Sequence, residues 1–363
     1  MHKVPWSVPD IGEEEKQAIM RVVKSGWLSQ GKETKLFEEE ICEYLGCRHA
    51  IVVNSGTSAL ITALLAHGIG KEDEVIVPSL TFIATVNAVI LVGADPILVD
   101  VDLETFNTTI EKVEEKITKR TKAILPVDVA GMPINIDAFE RLAEEHDLVL
   151  IEDAAEAFGA VYKNRKIGSF NHTSIFSFHI AKTITTVEGG VITTNDDKIA
   201  ENCRLIRSHG MKDKYNHITI GSNFRITDIQ SAMGRIQLKK VETFLKRRNE
   251  LASIYMRMLK NIVQFQKIPD YVTIHPWMLF GVLVDTKKRD RIREKLKENG
   301  IDTRVCWRPV HQQPFHRKLF SGSFPNSEEI ASRIINLPIG NKFSKEDIKY
   351  VSTKFIEIYE GIE

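Results

Sequence analysis

One lysine, Lys182, stands in a stretch of the sequence that carries almost no other charge. The stretch covers residues 177–190, reads SFHIAKTITTVEGG and contains no second Lys or Arg. Because removal from water favours the neutral form of an amine, such a lysine can become a nucleophile that forms an imine with a carbonyl group. A solvated lysine in a surface loop is the alternative. The pair Gly189-Gly190 indicates a tight turn or a close backbone approach before the next strand.

Acidic residues follow a short apolar run. The run at 148–151 predicts a buried strand, and Glu152, Asp153 and Glu156 come after it. Ligands of open α/β sheets bind beyond the carboxyl ends of the strands, so a carboxylate there is well placed to meet a cationic group. An aspartate that only caps the following helix is the alternative.

The segment 54–59, NSGTSA, links another predicted strand to a helix. The first N–H groups of a helix are unpaired and carry partial positive charge, and Gly56 allows a ligand to approach the backbone closely. The hydroxyls of Ser55, Thr57 and Ser58 add donors, so the segment could hold a phosphate. A hydroxyl residue that merely caps the helix is equally compatible with it. The sequence contains neither a dinucleotide G-x-G-x-x-G motif nor a Walker loop.

The three features together match the needs of pyridoxal phosphate (PLP). A helix N-terminus would hold the phosphate, a carboxylate would keep the pyridine nitrogen protonated, and a lysine would form the imine.

The elements that must position these residues alternate along the first two thirds of the chain. Short apolar runs alternate with segments of helical periodicity, which is typical of an α/β fold with a mostly parallel sheet. A long helix is predicted from Thr227 to about Lys260, and a smaller α+β unit follows it. We therefore expect a large domain at 1–240 and a small C-terminal domain at 241–363. The predicted strands cover 50–53, 74–77, 97–100, 123–127, 148–151, 174–178, 190–194 and 278–284, and the predicted C-terminal helices cover 289–299, 328–336 and 345–362.

Composition excludes several classes of protein. The chain has 363 residues with 49 Lys plus Arg and 49 Asp plus Glu, so no basic excess favours nucleic acid. The four cysteines have no metal-ligand spacing, which predicts no metal site and a reducing compartment. The N-terminal residues turn acidic where a signal peptide needs an apolar core, and no run reaches 18 apolar residues. These features predict a cytoplasmic protein that is not inserted in a membrane.

Seven motifs, in one order along nearly the whole chain, resemble the DegT-type family of nucleotide-sugar aminotransferases. The resemblance implies the aspartate-aminotransferase fold, or fold type I of PLP-dependent transferases, with a mostly parallel seven-stranded sheet in the large domain. Within the family, EDAAEA, KTITT and Trp277-Met278 are similar to GDP-perosamine synthases. The motifs are SGWLSQGKETKLFEEE, VVNSGTSAL, DEVIVPSLTFIATVNAV, EDAAEAFGA, SFHIAKTITTVEGGVITTND, GSNFRITDIQSAMGRIQLKKVE and RPVHQQP.

The same resemblance assigns roles to individual residues. Lys182 would be the Schiff-base lysine and would also move the proton in catalysis. Asp153 would pair with the pyridinium nitrogen, and Glu156 would lie near the cofactor's phenolic oxygen or ring edge. The remaining cofactor contacts would be phosphate binding by Gly56, Thr57 and Ser177, and ring stacking by Phe82.

Some implied contacts concern assembly and substrate. Asn223 would reach the phosphate from the second subunit of a homodimer. Trp27, Ser29 and His311 would border the nucleotide-sugar, although His311 could equally be a packed structural residue. Arg225 and Arg308 could bind the amino donor's carboxylate or the sugar's diphosphate, or, in the case of Arg308, form only a solvated ion pair.

The resemblance implies an enzyme that takes an amino group from L-glutamate and transfers it to a 4-keto-6-deoxy nucleotide-sugar, GDP-linked, for the deoxyamino sugars of lipopolysaccharide O-antigens. A 3-keto sugar, or a UDP- or dTDP-linked sugar, is the alternative substrate, and a PLP-binding regulator without turnover is an alternative of another class.

Two residues near Lys182 carry separate expectations. Val187 occupies a position where the family has Gly, so a positive φ there would strain the loop. His179 is expected to be structural, with its ring directed away from Lys182 if the segment is extended.

Overall fold

The computed structural model describes residues 2–362. Its strands are β1 (His49–Val53), β2 (Glu74–Pro78), β3 (Asp95–Val99), β4 (Thr121–Ile124), β5 (Val149–Asp153), β6 (Val161–Tyr162), β7 (Arg165–Lys166), β8 (Thr173–Ser177), β9 (Gly190–Thr194), β10 (Met211–Asp213), β11 (Asn216–His217), β12 (Gln264–Phe265), β13 (Val272–Ile274), β14 (Phe280–Leu283) and β15 (Ile334–Leu337). Its helices are α1 (Glu13–Ser25), α2 (Lys32–Leu45), α3 (Gly56–Ala66), α4 (Ile83–Leu91), α5 (Ile110–Glu114), α6 (Ile136–Glu145), α7 (Asp197–Arg207), α8 (Asp228–Leu259), α9 (Thr286–Glu298), α10 (Pro325–Arg333) and α11 (Lys345–Glu360).

A seven-stranded sheet forms the centre of the large domain, in the order β1-β9-β8-β5-β4-β2-β3. β9 is antiparallel to both of its neighbours, and the other adjacent pairs are parallel. Successive residues of β8 serve opposite faces, since Ile175 packs in one apolar cluster and Phe176 in the other. Burial on both faces explains why these strands are continuous apolar runs. The predicted α/β class and the mostly parallel seven-stranded sheet are confirmed.

The 32-residue helix α8 connects the two domain cores. Its N-terminus is a capping box, in which the Thr227 hydroxyl accepts the Gln230 N–H and the Gln230 side chain accepts the Thr227 N–H. Further along, Leu245 packs in the core of the large domain, and Tyr255 packs in the C-terminal core. The helix therefore crosses the predicted boundary at residue 240, which stays a prediction. The N-terminal segment also contacts the C-terminal unit, because Val4 pairs with Ile301.

The C-terminal unit contains a three-stranded antiparallel sheet in the order β12-β14-β15. The helix predicted at 328–336 is wrong at its end, because α10 stops at Arg333 and 334–337 form β15. The β-branched pair Ile334-Ile335 favours a strand, and Pro338 disfavours helical backbone at the residue before it. Among the described residues, no helix is both long and apolar enough to span a bilayer.

The loop that carries Lys182 connects β8 to β9 and is closed by its own backbone. The Phe178 N–H donates to the Gly189 carbonyl at 2.8 Å, and the Thr186 N–H donates to the Phe178 carbonyl at 3.0 Å. Within this turn Val187 has φ +71°, and its side chain is 49% exposed. The strain expected at Val187 is therefore present, since a β-branched residue is disfavoured in the left-handed region.

We predict that Val187→Gly raises the free energy of unfolding by about 1 kcal/mol, because relief of the strain outweighs the greater entropy of glycine in the unfolded chain. Urea unfolding measures the change. Val187→Ala is the matched control and should gain less, since it keeps a Cβ atom. Equal or lower stability of the glycine variant would show that the loop is unstrained.

Candidate active site

The segment between β1 and α3 combines a helix cap with free backbone donors. The Ser55 hydroxyl accepts the Ser58 N–H at 3.0 Å, so the helix-capping alternative correctly describes Ser55. The N–H groups of Gly56 and Thr57 have no acceptor among the described residues, as expected in the first turn of a helix. The cap therefore fixes the helix end, and the two donors remain available to an anion.

Glycines allow the carboxyl end of β8 and the start of β9 to pack directly under this helix end. A Cβ atom on Gly190 would lie 2.6 Å from the Ser55 carbonyl oxygen and 2.8 Å from the Gly56 nitrogen. A Cβ atom on Gly56 would lie 2.9 Å from the Cβ of Ser177. The close backbone approach expected at Gly190 is therefore present, and it brings Ser177 beside the free donors.

Asp153 is the last residue of β5 and is almost fully buried. One carboxylate oxygen accepts the Thr85 hydroxyl at 2.7 Å, and the other accepts the Ala155 N–H at 3.2 Å. Burial raises the pKa of Asp153 to about 6, although these hydrogen bonds favour its charged form. A buried carboxylate of this kind is stabilised by a cationic N–H partner.

Glu156 connects Lys182 to the loop after β4. Its Oε1 accepts the Lys182 ammonium at 3.2 Å, and its Oε2 accepts the Ala130 N–H at 2.9 Å. Lys182 therefore has few charges near it in the sequence but one carboxylate beside it in space. An amide at position 156 would have only one acceptor oxygen for these two donors.

Lys182, Asp153 and Glu156 line one cavity of about 430 Å³, together with the residues that border the phosphate cradle. Phe82, at the start of α4, also lines it and is 56% exposed, as an aromatic side chain must be to stack on a bound ring. The predicted residues that the fold brings together here are Gly56, Thr57, Phe82, Asp153, Glu156, Ser177 and Lys182.

Part of the cavity wall comes from segments that the sequence reasoning missed as site residues. They lie near the N-terminus and in the C-terminal unit: Trp6, Met278, Leu279, Cys306 and Trp307. Their chemistry gives little signal, because apolar wall residues resemble core residues. The position of Cys306-Trp307 directly before the motif RPVHQQP is the one sequence feature that could have indicated them.

Three of the predicted residues that lie outside this cavity are exposed in the single chain. Trp27 and Ser29 are exposed in the loop after α1, and the Trp27 indole donates to the Gln30 carbonyl at 3.3 Å. Asn223 is exposed beside Asn54, whose side-chain amide donates to the Asn223 carbonyl at 3.2 Å. Their contacts with substrate or with a second subunit stay predictions.

His311 has partners on both ring nitrogens: Nδ1 contacts the Ser79 hydroxyl at 2.6 Å, and Nε2 contacts Glu328 at 3.0 Å. Partners on both nitrogens are expected of a packed structural histidine. A role of His311 toward substrate stays a prediction. Arg225 is half-buried outside the cavity. Arg308 lines a separate cleft and, within residues 2–362, forms no ion pair.

His179 does not lie in an extended segment. The Lys182 N–H donates to the His179 carbonyl at 2.9 Å, so the chain turns here, and the side chain of His179 lines the cavity. The assumption that His179 lies in an extended segment was therefore wrong.

The residues of this cavity fit PLP. The free donors of α3, the glycines that leave room beside them and the buried Asp153 match a phosphate and a pyridinium ring, and Lys182 lies in the same cavity. The fold and the site together define an α/β transferase of fold type I.

The chain belongs to the DegT/DnrJ/EryC1/StrS aminotransferase family, whose model matches residues 9–356. The family is one of aminotransferases, and its solved neighbours include a sugar aminotransferase in PMP and PLP forms, so the protein is a transferase that uses this cofactor. An uncharacterized protein of Methanocaldococcus jannaschii, MJ1066, is 40% identical over 94% of this chain and 93% of its own.

Two solved structures are also similar. DesV of S. venezuelae, in complex with a ketimine intermediate, is 36% identical with a TM-score of 0.93, covering 96% of this chain and 95% of its own. PseC of Helicobacter pylori, an aminotransferase involved in the biosynthesis of pseudoaminic acid, is 33% identical with a TM-score of 0.94 and covers 99% of this chain and 100% of its own. Both likenesses extend over both domains.

The raised pKa of Asp153 makes a prediction for the cofactor-free protein. Because the folded-state pKa lies above the usual value near 4, the stability contributed by the proton is present below about pH 4 and lost as the pH rises through about 6. Asp153→Asn has no proton to lose, so its stability does not fall in this range. Between pH 4 and about pH 8, the free energy of unfolding of the variant should therefore rise by about 3 kcal/mol relative to that of the wild type.

Urea unfolding at the two pH values measures this difference. The exposed variant Asp270→Asn is the control and should follow the wild-type profile. Parallel profiles of Asp153→Asn and wild type would contradict a proton-retaining Asp153.

Proposed function

We propose that the protein transfers the amino group of L-glutamate to a 4-keto-6-deoxy nucleotide-sugar, GDP-linked. The proposal rests on the Lys182 ammonium, held 3.2 Å from Glu156 in the cavity that also contains Asp153. The similarity of EDAAEA, KTITT and Trp277-Met278 to GDP-perosamine synthases supports the choice of sugar and nucleotide. We further propose a cytoplasmic location and a role in making a deoxyamino sugar of lipopolysaccharide O-antigens.

Each residue has a distinct part in this proposal. The cofactor, when bound, supplies a carbonyl carbon for the amino group and a ring that withdraws electrons. Asp153 would hold a proton at the ring nitrogen, and the donors of Gly56, Thr57 and Ser177 would fix the phosphate. Phe82 would stack on the ring. Lys182 would hold the cofactor covalently, and once released its amine would accept and return a proton at Nζ, which Glu156 would orient.

Lys182→Ala should abolish both turnover and the visible absorbance of lysine-linked cofactor, because no other amine replaces Nζ. Absorbance spectra and an assay with glutamate and keto-sugars measure the two effects. Lys163→Ala, which removes an exposed lysine paired with Asp137, is the control and should resemble the wild type. Turnover by the Lys182 variant would refute the assignment.

The same assay, run on the wild type with GDP-, UDP- and dTDP-linked keto-sugars, identifies the substrate, and NMR of the product locates the new amine. An amine at carbon three, or a UDP- or dTDP-linked product, would replace the proposed substrate by the alternative. Cofactor binding without amine transfer to any of these sugars would favour the regulator.

We also propose that the active unit is a homodimer in which Asn223 binds the phosphate in the partner's cavity. The Asn223 main chain is fixed by Asn54, but its side chain is exposed and does not line the cavity of its own chain. The adjoining hairpin of β10 and β11 exposes Tyr215, Ile218 and Ile220, and Ile220 is 90% exposed. Apolar exposure on this scale is typical of a surface covered in an assembly.

Mixing inactive Lys182→Ala with weakened Asn223→Ala should restore activity. A mixed dimer has one cavity with an intact Lys182 and an intact Asn223 from the partner, so statistical mixing should yield about a quarter of the wild-type activity. Co-expression with two different affinity tags isolates the mixed dimer. No recovery in that dimer would show that Asn223 acts in the cavity of its own chain.

A further inference from the structure

Two buried carboxyl groups lie behind the active site, and each has one oxygen without a partner. Asp128 Oδ1 accepts the Ile134 N–H at 3.0 Å, and Glu152 Oε2 accepts the Ser174 hydroxyl at 2.7 Å. The other oxygens, Asp128 Oδ2 and Glu152 Oε1, are fully buried and have no hydrogen-bond donor among the described residues. The two groups lie on adjacent segments, because the Asp128 N–H donates to the Asp153 carbonyl at 3.1 Å and Glu152 precedes Asp153 on β5. Two such oxygens are both satisfied if one group carries a proton and donates it to the other.

Within residues 2–362, Glu152 has a cationic neighbour, whereas no cationic side chain pairs with Asp128. Buried His172 contacts Glu152 at 3.1 Å through Nε2 and Glu140 at 3.0 Å through Nδ1. Burial alone would lower the pKa of His172, but these two carboxylates raise it to about 9, so the imidazolium compensates the charge of Glu152. A second negative charge on Asp128 would then be buried without compensation.

The other acidic groups near Asp128 also favour its neutral form. They are Glu152 and Asp153 on β5. Tyr271 lies near Asp128 as well, and burial raises its pKa to about 12, so it adds no charge there. Burial and the Glu152 carboxylate raise the pKa of Asp128 well above its usual value.

Asp128 closes the loop on which Glu156 depends. Its carboxyl group holds the Ile134 N–H, and its carbonyl accepts the Gly131 N–H at 3.0 Å. Between these contacts lies Ala130, at φ +63°, whose N–H holds Glu156 Oε2. Because a left-handed alanine is unfavourable by itself, the loop needs this support.

We propose that Asp128 is a positioning residue that carries a proton in the folded enzyme and donates it in a hydrogen bond to Glu152. The bond fixes the loop at 128–134, the loop presents the Ala130 N–H to Glu156, and Glu156 holds the Lys182 ammonium. The effect on turnover rests on the function proposed above for Lys182, whereas the protonation state of Asp128 does not.

Asp128→Asn separates a protonated aspartate from an ionised one. The amide oxygen can accept the Ile134 N–H, and the amide NH₂ can donate to Glu152, as the proposed acid does. We expect this variant to keep kcat within about threefold of wild type, whereas Asp128→Ala, which removes both contacts, should lose about tenfold or more. Loss of activity by the asparagine variant equal to that of the alanine variant would overturn the proposal.

Infrared spectroscopy of the holoenzyme at about pH 8, where Asp153 is ionised, reads the proton directly. The wild type should show the carbonyl band of a protonated carboxylic acid, and Asp128→Asn should lack it. Asp137→Asn, an exposed variant, is the control and should keep the band. A band unchanged by Asp128→Asn, or absent from the wild type, would refute the shared proton whatever the assays of Lys182 show.

Discussion

The ion pair between Lys182 and Glu156 joins the parts of the chain on which the site depends. Lys182 comes from the connection between β8 and β9, and Glu156 follows β5, the neighbour of β8 on its other side. A buried pair of this kind is useful only where both partners also have fixed hydrogen bonds, because desolvation opposes it. The loop at 128–134 provides that bond for Glu156, so three successive segments must be in register before the lysine is in place.

Close packing at the N-terminus of α3 is the second constraint on the site. The backbone of Gly190 approaches Ser55 and Gly56 more closely than any side chain would allow, and this approach fixes the height of α3 over the sheet. The antiparallel direction of β9 makes the approach possible, because its first residue lies opposite Ser177, the last residue of β8. The free N–H donors of α3 and the loop that carries Lys182 are thus positioned by one strand pair, β8 and β9.

Sequence reasoning succeeded where chemistry and local pattern coincide. Residue type and position were enough to predict Asp153 at a strand end and Gly56 at a helix start. Continuous apolar runs were enough to predict the buried strands. It failed where tertiary pairing decides: 334–336 continue a helical pattern but pair with β14, and His179 turns because Lys182 hydrogen bonds back to it. The wall residues Met278 and Cys306 were not predicted as site residues, since apolar wall residues resemble core residues and only the fold makes them neighbours of Lys182. No local pattern indicated Asp128 either, because its proposed role depends on the groups that surround it in the fold.

The helix α8 has a mechanical consequence for the cavity between the domains. At about 1.5 Å per residue, its 32 residues form a strut roughly 48 Å long that is clamped by packing at both ends. A continuous helix, and not a flexible hinge, therefore sets the spacing between the domains. Leu279 and Trp307 line the same cavity as Lys182, so the helix that spans the two cores also limits the width of that cavity.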